Sequence, residues 1–527
     1  MAKEIVAKVN ELRDGDKRAA VVGGRAVLLV KAGGKFYAIG AKCTHYGGPL
    51  AKGVVSGHRV LCPWHQACFD AVTGGVLDPP ALDAVPHFAV RVEGDNVIVT
   101  VPDDPAASGP QTMPMVRRDA RADNRTFVIV GGGAAGNEAA ETLRQEGFRG
   151  RIVVVTHEHT VPYDRPKLSK TYLASKEPAE RPVLRPRDFY ADHDIELMTG
   201  REVASVDATA KSVSFADGAS LRFDAVLLAT GGVPRRLDVP GGGLQSIFTL
   251  RSLDDCDRII AAAQNARRAV VIGASFIGME TAASLTERGL PVTVVAPDAT
   301  PFERTLGKEI GAMFQKLHEE NGVTFRLGAK LARFEGTGKV EKVVLENGDR
   351  LDADLVIAGV GVRPATDFLK GWALNPDGSV PVDLQFRAAD GVYAAGDIAQ
   401  FPDWRTGERI RIEHWRLAEQ HGRVAARNML GRKQDFVSIP FFWTNQFGVN
   451  LRYVGYTKGW DEIIFHGDPA AREFVGFYVK GGKVLAAAGV ANDMKMVAIS
   501  ELMRIGRMPS ADELRKGQPD LVQRLKG

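Results

Sequence analysis

Phe127-Val128-Ile129-Val130-Gly131-Gly132-Gly133-Ala134-Ala135-Gly136 decides the fold of the middle of this chain. Four consecutive apolar residues read as a parallel strand buried on both faces, and the glycines after them make a tight turn. Asn137 to Glu146 has helical spacing and good helix formers, and Ile152 to Val155 completes a βαβ unit. Glycine at 131 closes the turn, glycine at 133 lets backbone approach a pyrophosphate, and glycine at 136 lets the helix lie on the strand. The phosphate then sits at the helix N-terminus. Alone the glycine spacing is a weak signal; inside strand, turn, helix and strand it is a strong one.

The arrangement returns with Ala269 to Ile272 as strand, Gly273-Ala274-Ser275-Phe276-Ile277-Gly278 as turn, Met279 to Arg288 as helix and Val292 to Val295 as second strand. Two units imply two dinucleotides. A second strand usually ends on an acidic residue that holds the ribose 2′-hydroxyl, yet here the run is Ala296-Pro297-Asp298. Asp298 can serve from two residues on, whereas Arg304 would meet a 2′-phosphate. NADH is the favoured nucleotide on this reading.

Upstream, Cys43-Thr44-His45 and Cys62-Pro63-Trp64-His65 place one Cys and one His in each of two loops. A Rieske centre needs this set: two sulfide-bridged irons, one held by two thiolates and the other by two imidazoles. Gly47, Gly48 and Pro49 let the first loop bend tightly. A tetrahedral zinc site is the alternative, but the Cys-Thr-His order and the long intervening segment depart from zinc spacing. His58 and His87 fall outside the pattern and read as surface or strand-edge residues. Imidazole ligands leave less negative charge on the irons and raise the potential, so the centre accepts electrons readily. A flavin and a nicotinamide are the dinucleotide pair whose chemistry suits such a cluster, because a hydride carries two electrons, the cluster takes one, and a flavin handles both.

The chain has 527 residues, 45% hydrophobic and 25% charged, which suits about three to four domains. A formal charge of +4 without a basic block excludes nucleic acid as the expected partner. No apolar leader and no run of about 18 apolar residues occurs, so a cytoplasmic protein without a membrane span is expected. Of four cysteines, two go to the cluster; Cys68 and Cys256 read as buried, inert thiols, and no Cys-x-x-Cys pair is present. Residues 1–103 read as a small all-β Rieske domain, with strands such as Ala26 to Val30, Val85 to Val92 and Val97 to Val101. The polar stretch 104–124, rich in Pro, reads as a linker.

Beyond this point the chain resembles the pyridine-nucleotide-dependent flavoprotein reductases of the glutathione reductase fold, in particular those without a redox disulfide: the reductases of oxygenase systems and apoptosis-inducing factor. The segment Pro162-Tyr163-Asp164-Arg165-Pro166-Lys167-Leu168-Ser169-Lys170 is similar to the one that replaces the disulfide helix beside the flavin. Ala229-Thr230-Gly231-Gly232 and Gly359-Val360-Gly361-Val362-Arg363-Pro364 resemble the two strand-end motifs, and Gly391 to Asp397 resembles the second flavin motif. With the Rieske domain in front, the resemblance narrows to the Rieske-bearing apoptosis-inducing-factor-like group. Gln66 stands where that group usually has Gly.

The resemblance implies a multidomain chain: after the all-β domain come α/β, glutathione reductase-like FAD and NAD domains, then a small α+β domain. Its boundaries are 125–250 and 376–436 for the two parts of the FAD domain, 251–375 for the NAD(P)H domain and 437–527 for the C-terminal reductase domain. It implies that Gly131, Gly133, Ala135, Gly136, Arg165, Lys170, Ala229, Thr230, Gly231, Gly396 and Asp397 hold FAD, with Glu158 or the adjacent His157 on the adenosine ribose. Gly273, Ser275, Gly278, Asp298 and Gly361 fall to the nicotinamide dinucleotide. Glu413-His414-Trp415 begins a helix whose positive end faces the flavin pyrimidine. Trp443 is similar to an aromatic near the flavin, with an ordinary core Trp as the alternative. Lys170 and Glu280 resemble the Lys-Glu pair by flavin N5, where the ammonium stabilises the reduced ring and the carboxylate orients it; a plain ion pair between lobes is the alternative.

The expected function is therefore an NAD(P)H-dependent oxidoreductase that passes electrons through FAD to its own 2Fe-2S cluster and on to an external ferredoxin, oxygenase or quinone. Monomer and homodimer both fit. The first rival is a redox-responsive interaction protein, like apoptosis-inducing factor, in which turnover is incidental. The second is a Rieske oxygenase, which would need a mononuclear iron; His157-Glu158-His159 is the only tight candidate and reads as a loop coincidence.

Overall fold

The computed structural model describes residues 1–104, 109–177 and 179–526. Its first strand, Ala2–Lys8, pairs antiparallel with Asn96–Val101 in a six-stranded sheet that also holds Lys17–Val22, Arg25–Ala32, Lys35–Gly40 and His87–Glu93. Val97, Val99 and Val101 are buried while Asn96, Ile98 and Thr100 are only partly so, the two-residue alternation of a one-sided sheet. A smaller sheet of Val54–Ser56, Arg59–Leu61, Cys68–Asp70 and Val76–Asp78 carries the second cysteine loop as the turn between its second and third strands.

Residues 105–108 of the expected linker lie outside the described residues. The remainder is not free chain: Gln111–Thr112 pairs with Asp83–Ala84, and the Val116 and Asp119 amides donate to the carbonyls of Arg144 and Arg149. It runs from one domain along the surface of the next.

Thr126–Val130 lies between Arg151–Val155 and Ala225–Leu228 in a parallel sheet. Val392–Ala394, over 160 residues later, adds parallel to Ala225–Leu228. In the second unit Ala269–Ile272 lies between Val292–Ala296 and Leu355–Ala358, again parallel. Ala225–Leu228 and Ala269–Ile272 are buried throughout, as parallel strands covered on two faces must be. The helices begin earlier than spacing suggests, at Ala134 and Phe276, because the backbone already turns helically inside the glycine loops where no apolar period exists to be read.

The C-terminal domain is a five-stranded antiparallel sheet, Phe441–Gln446 at one edge, backed by the helix Asp493–Arg504. Its core includes Val54, Leu61 and Cys68 of the all-β domain together with Phe441, Val454, Phe477 and Met496. Two domains distant in sequence thus share one apolar core. At roughly 1.5–3 kcal/mol for each large side chain fully buried, such a core holds them together as one body.

Candidate active site

The four cluster residues converge as two pairs. The Cys43 and Cys62 sulfurs are hydrogen-bonded to each other, which lifts the Cys43 thiol and lowers that of Cys62. The His45 and His65 Nδ1 atoms lie 3.1 Å apart. Burial depresses both imidazoles, His45 to about 3, so both are neutral at pH 7, the form that ligates. Among the described residues no three His, Cys, Asp or Glu side chains gather on one metal position. Two ligands per metal suit a two-iron cluster whose sulfides complete each iron; a zinc site would draw all four donors to one point. The loops are built for close approach: a Cβ at Gly48 would stand 2.7 Å from the Cys62 sulfur. Gln66 has φ 58°, a left-handed backbone that explains why glycine is the usual residue there. Its side chain is fully buried and its carbonyl accepts from Arg416.

His58 packs edge-on against Tyr37, and His87 is an exposed strand residue. Cys68 and Cys256 are buried and free; burial pushes the Cys256 thiol up to about 12, and it donates to the Leu168 carbonyl.

The first glycine turn fits a dinucleotide. A Cβ at Gly131 would stand 2.2 Å from the Ala229 carbonyl and one at Gly136 1.9 Å from the Gly131 carbonyl, whereas Gly133, the N-cap, faces open space. Closure at the outer glycines and room at the middle one is what a pyrophosphate at a helix N-terminus requires. Ala135 packs beneath it, where Gly422 lets the helix Trp415–Met429 approach to backbone distance. Arg165 is paired to Glu158 at 2.9 Å, and Tyr163 also donates to that carboxylate. Burial raises Glu158, but Arg165 and Tyr163 outweigh it and the carboxyl ends below its usual range. The Glu158 carboxylate is thus already engaged by Arg165 and Tyr163.

Thr230 donates to the Ala365 carbonyl, joining the two strand-end segments. Asp397 is paired at 2.8 Å with Arg251, whose guanidinium stands 2.9 Å from where a Gly231 Cβ would be. Nothing in the sequence marked Arg251. Gly396 has φ 75° and its amide donates to His421. Glu413 pairs with Arg411; His414 caps the helix that Trp415 opens, and burial lowers its imidazole to about 4.

In the second turn, a Cβ at Gly273 would meet the Gly359 carbonyl at 2.4 Å and one at Gly278 the Gly273 carbonyl at 2.1 Å. Ser275 is the exposed N-cap, and Gly361, φ 88°, faces open space. Asp298 and Arg304, the two candidates for the ribose position, are paired with each other at 2.9 Å.

Lys170 and Glu280 meet at 2.7 Å, the Glu nearly buried. Ser169 and Thr444 also donate to that carboxylate, so side chains from two other domains converge on it. Thr444 belongs to the edge strand Phe441–Gln446, whose alternation divides the site. Phe442 packs on Phe276, Thr444 bonds Glu280 and Gln446 bonds His318, all on the side of the second dinucleotide unit. Phe441 faces the all-β domain core, and Trp443 lies 4.3 Å from the His65 ring, centre to centre. Trp443 is thus no plain core residue: it touches the cluster loops.

Arginines fix that contact. Arg452 donates to the Pro63 and Trp64 carbonyls, Arg416 to those of Gln66 and Pro79, and Arg423 to those of Val76 and Leu77. Tyr46, stacked on His45, donates to Asp164 in the flavin-side segment.

Residues 2–89 match the Rieske [2Fe-2S] domain family, residues 125–422 the pyridine nucleotide-disulphide oxidoreductases, and residues 441–525 the reductase C-terminal family. The chain belongs to the pyridine nucleotide-disulphide oxidoreductase family, as an FAD- and NAD(P)H-dependent oxidoreductase of ferredoxin reductase type carrying a Rieske 2Fe-2S domain. It is 40% identical to apoptosis-inducing factor 3 of Homo sapiens over 511 residues, 95% of this chain and 84% of that one. Putidaredoxin reductase CamA of Pseudomonas putida is 36% identical over 370 residues, 69% of this chain and 88% of its own. The crystal structure of a covalent putidaredoxin reductase–putidaredoxin complex superposes with a TM-score of 0.72 at 33% identity, over 76% of this chain and 98% of that one. No helix among the described residues is long and apolar enough to cross a membrane.

Proposed function

We propose that this oxidoreductase takes electrons from NADH, passes them singly to its own Rieske cluster and delivers them to an external acceptor in the cytoplasm. The flavin supplies hydride acceptance and the cluster one-electron transfer. The observation that carries the reading is the ring of His65 against Trp443, on the strand whose opposite face reaches Glu280 and Phe276. With FAD bound, the Lys170 ammonium would stabilise negative charge on the reduced ring, and Glu280, held by Ser169 and Thr444, orients that ammonium. Neutral His45 and His65 are poised as ligands, and the Arg416 and Arg452 contacts hold their loops at fixed distance from Trp443. Glu158 with Arg165 and Asp397 with Arg251 supply the polar groups of the FAD cleft. An interaction protein with incidental turnover would have no need of a cluster domain clamped against this strand.

Iron and zinc analysis with low-temperature electron paramagnetic resonance tests the assignment. Two irons per chain and a Rieske signal after NADH addition are expected. Stoichiometric zinc without iron would overturn it.

A further inference from the structure

A line of hydrogen bonds runs from Glu280 into the interior, away from Lys170. The Glu280 Oε2 atom accepts from Ser169 and Lys170, while Oε1 accepts from Thr444 at 2.7 Å. Behind Thr444, one end of the Gln446 amide lies 2.9 Å from the hydroxyl, and the other end lies 2.7 Å from His318 Nε2. All four side chains are buried, His318 and Thr444 completely. His318 is on the helix Lys308–Glu320 and packs edge-on against Phe325 and Phe447.

A hydroxyl has one hydrogen, and that sets the direction of the whole line. Glu280, paired with Lys170, is a carboxylate and can only accept, so Thr444 donates to it and must accept from Gln446. The Gln446 amide nitrogen therefore faces Thr444 and its oxygen faces His318, which puts the His318 proton on Nε2. The other ring nitrogen points to the same tautomer. Among the described residues Nδ1 has no hydrogen-bond partner, and a buried N–H without an acceptor is costly. Burial also lowers this imidazole to about 4, so the ring at pH 7 is neutral and carries one proton, not two.

We propose that His318 is a positioning residue for flavin reduction: through Gln446 and Thr444 it fixes the rotation of the Glu280 carboxylate, and through that carboxylate the Lys170 ammonium. Three donors in series point toward Oε1 and stabilise its charge, while Ser169 and Lys170 hold Oε2. The line has no second arrangement that keeps Glu280 ionised. Turning the amide over would give the Thr444 hydrogen to Gln446 and leave two bare oxygens facing each other at 2.7 Å. The inference rests on the role proposed above for Lys170 and Glu280.

Two measurements on the FAD-loaded protein test it. Nitrogen-15 magnetic resonance of histidine-labelled protein should show His318, identified by its loss in His318→Gln, as the neutral Nε2–H tautomer. The Nδ1–H tautomer, or a mixture of the two, would overturn the proposal. Anaerobic stopped-flow reduction by NADH reads the consequence. His318→Phe keeps the ring's bulk and removes the donor; it should lower the limiting rate of flavin reduction about fivefold, the scale of one hydrogen bond. The apparent Kd for NADH should not change, and the flavin potential should shift downward. His318→Gln, whose amide nitrogen reaches the same point, should restore the rate. Gln446→Met breaks the line in its middle and should match His318→Phe, so the test stands even if the latter does not fold. In a Lys170→Ala background neither change should cause further loss. A rate unchanged in both variants, a loss that His318→Gln does not restore, or an equal loss with and without Lys170 overturns the role of His318 alone. A Lys170→Ala protein that reduces its flavin at the wild-type rate overturns the reading beneath it as well.

Discussion

At the scale of single residues the Lys170–Glu280 pair makes the sharpest demand. The carboxylate is nearly buried and has three donors, only one of them charged. Lys170→Ala should slow flavin reduction by NADH about a hundredfold, the scale of losing one charge-stabilising group, with FAD still bound through the glycine turn and Asp397. Stopped-flow flavin bleaching under anaerobic conditions measures it. Thr444→Val removes one neutral hydrogen bond and should have a smaller effect of the same kind, and Glu280→Gln combined with Lys170→Ala should be less than additive because the two act as one unit. Additive losses would return the pair to a plain bridge between domains. The pair's identity was legible because both residues lie in motifs with a family resemblance. Thr444 was not, since only the strand's alternation, once Phe442 and Trp443 have known sides, shows which way it faces.

At the scale of elements, the helix Trp415–Met429 carries part of the domain assembly on side chains that composition does not distinguish. Arg416, Gln420 and Arg423, three and four residues apart, project to the all-β domain, the first and last onto backbone carbonyls and Gln420 onto the Asp78 carboxylate. An amphipathic reading expects such residues in water; here they are buried. His421 shares the helix, enclosed by Phe386, Phe401 and Phe436, and burial lowers it to about 3. A folded value below the unfolded one means its contribution to stability is full above about pH 6.5 and is lost as pH falls toward about 3. Over that window His421 should add up to about 1.4 kcal/mol per pH unit to the slope of stability. His421→Phe should flatten that slope in denaturant titrations at several pH values, even though loss of the Gly396 hydrogen bond lowers stability throughout. An unchanged slope would mean the imidazole is hydrated and free to titrate. The glycine turns and buried strands were readable in the chain because they obey local rules. The helix starts were not, because the backbone turns helically inside the glycine loops where no apolar period exists, and the arginine anchors were not, because they follow from where the all-β domain lands.

At the scale of the molecule, the segment 104–124 suggested a tethered domain, and the structure instead shows the cluster domain sharing a core with the C-terminal domain and clamped by arginines. Arg452→Met with Arg416→Met should loosen that docking: small-angle scattering should show a larger radius of gyration, and cluster reduction should slow while flavin reduction by NADH keeps its rate. If the cluster is held where it receives electrons, transfer from flavin to cluster is an event within one chain. Rapid mixing of the holoprotein with NADH under anaerobic conditions, followed by freeze-quench electron paramagnetic resonance across a wide range of protein concentration, measures this most directly. The account predicts that the flavin is reduced first and the Rieske signal follows at a rate independent of protein concentration. A cluster that stays oxidised, or one whose reduction rate rises in proportion to protein concentration, would contradict it.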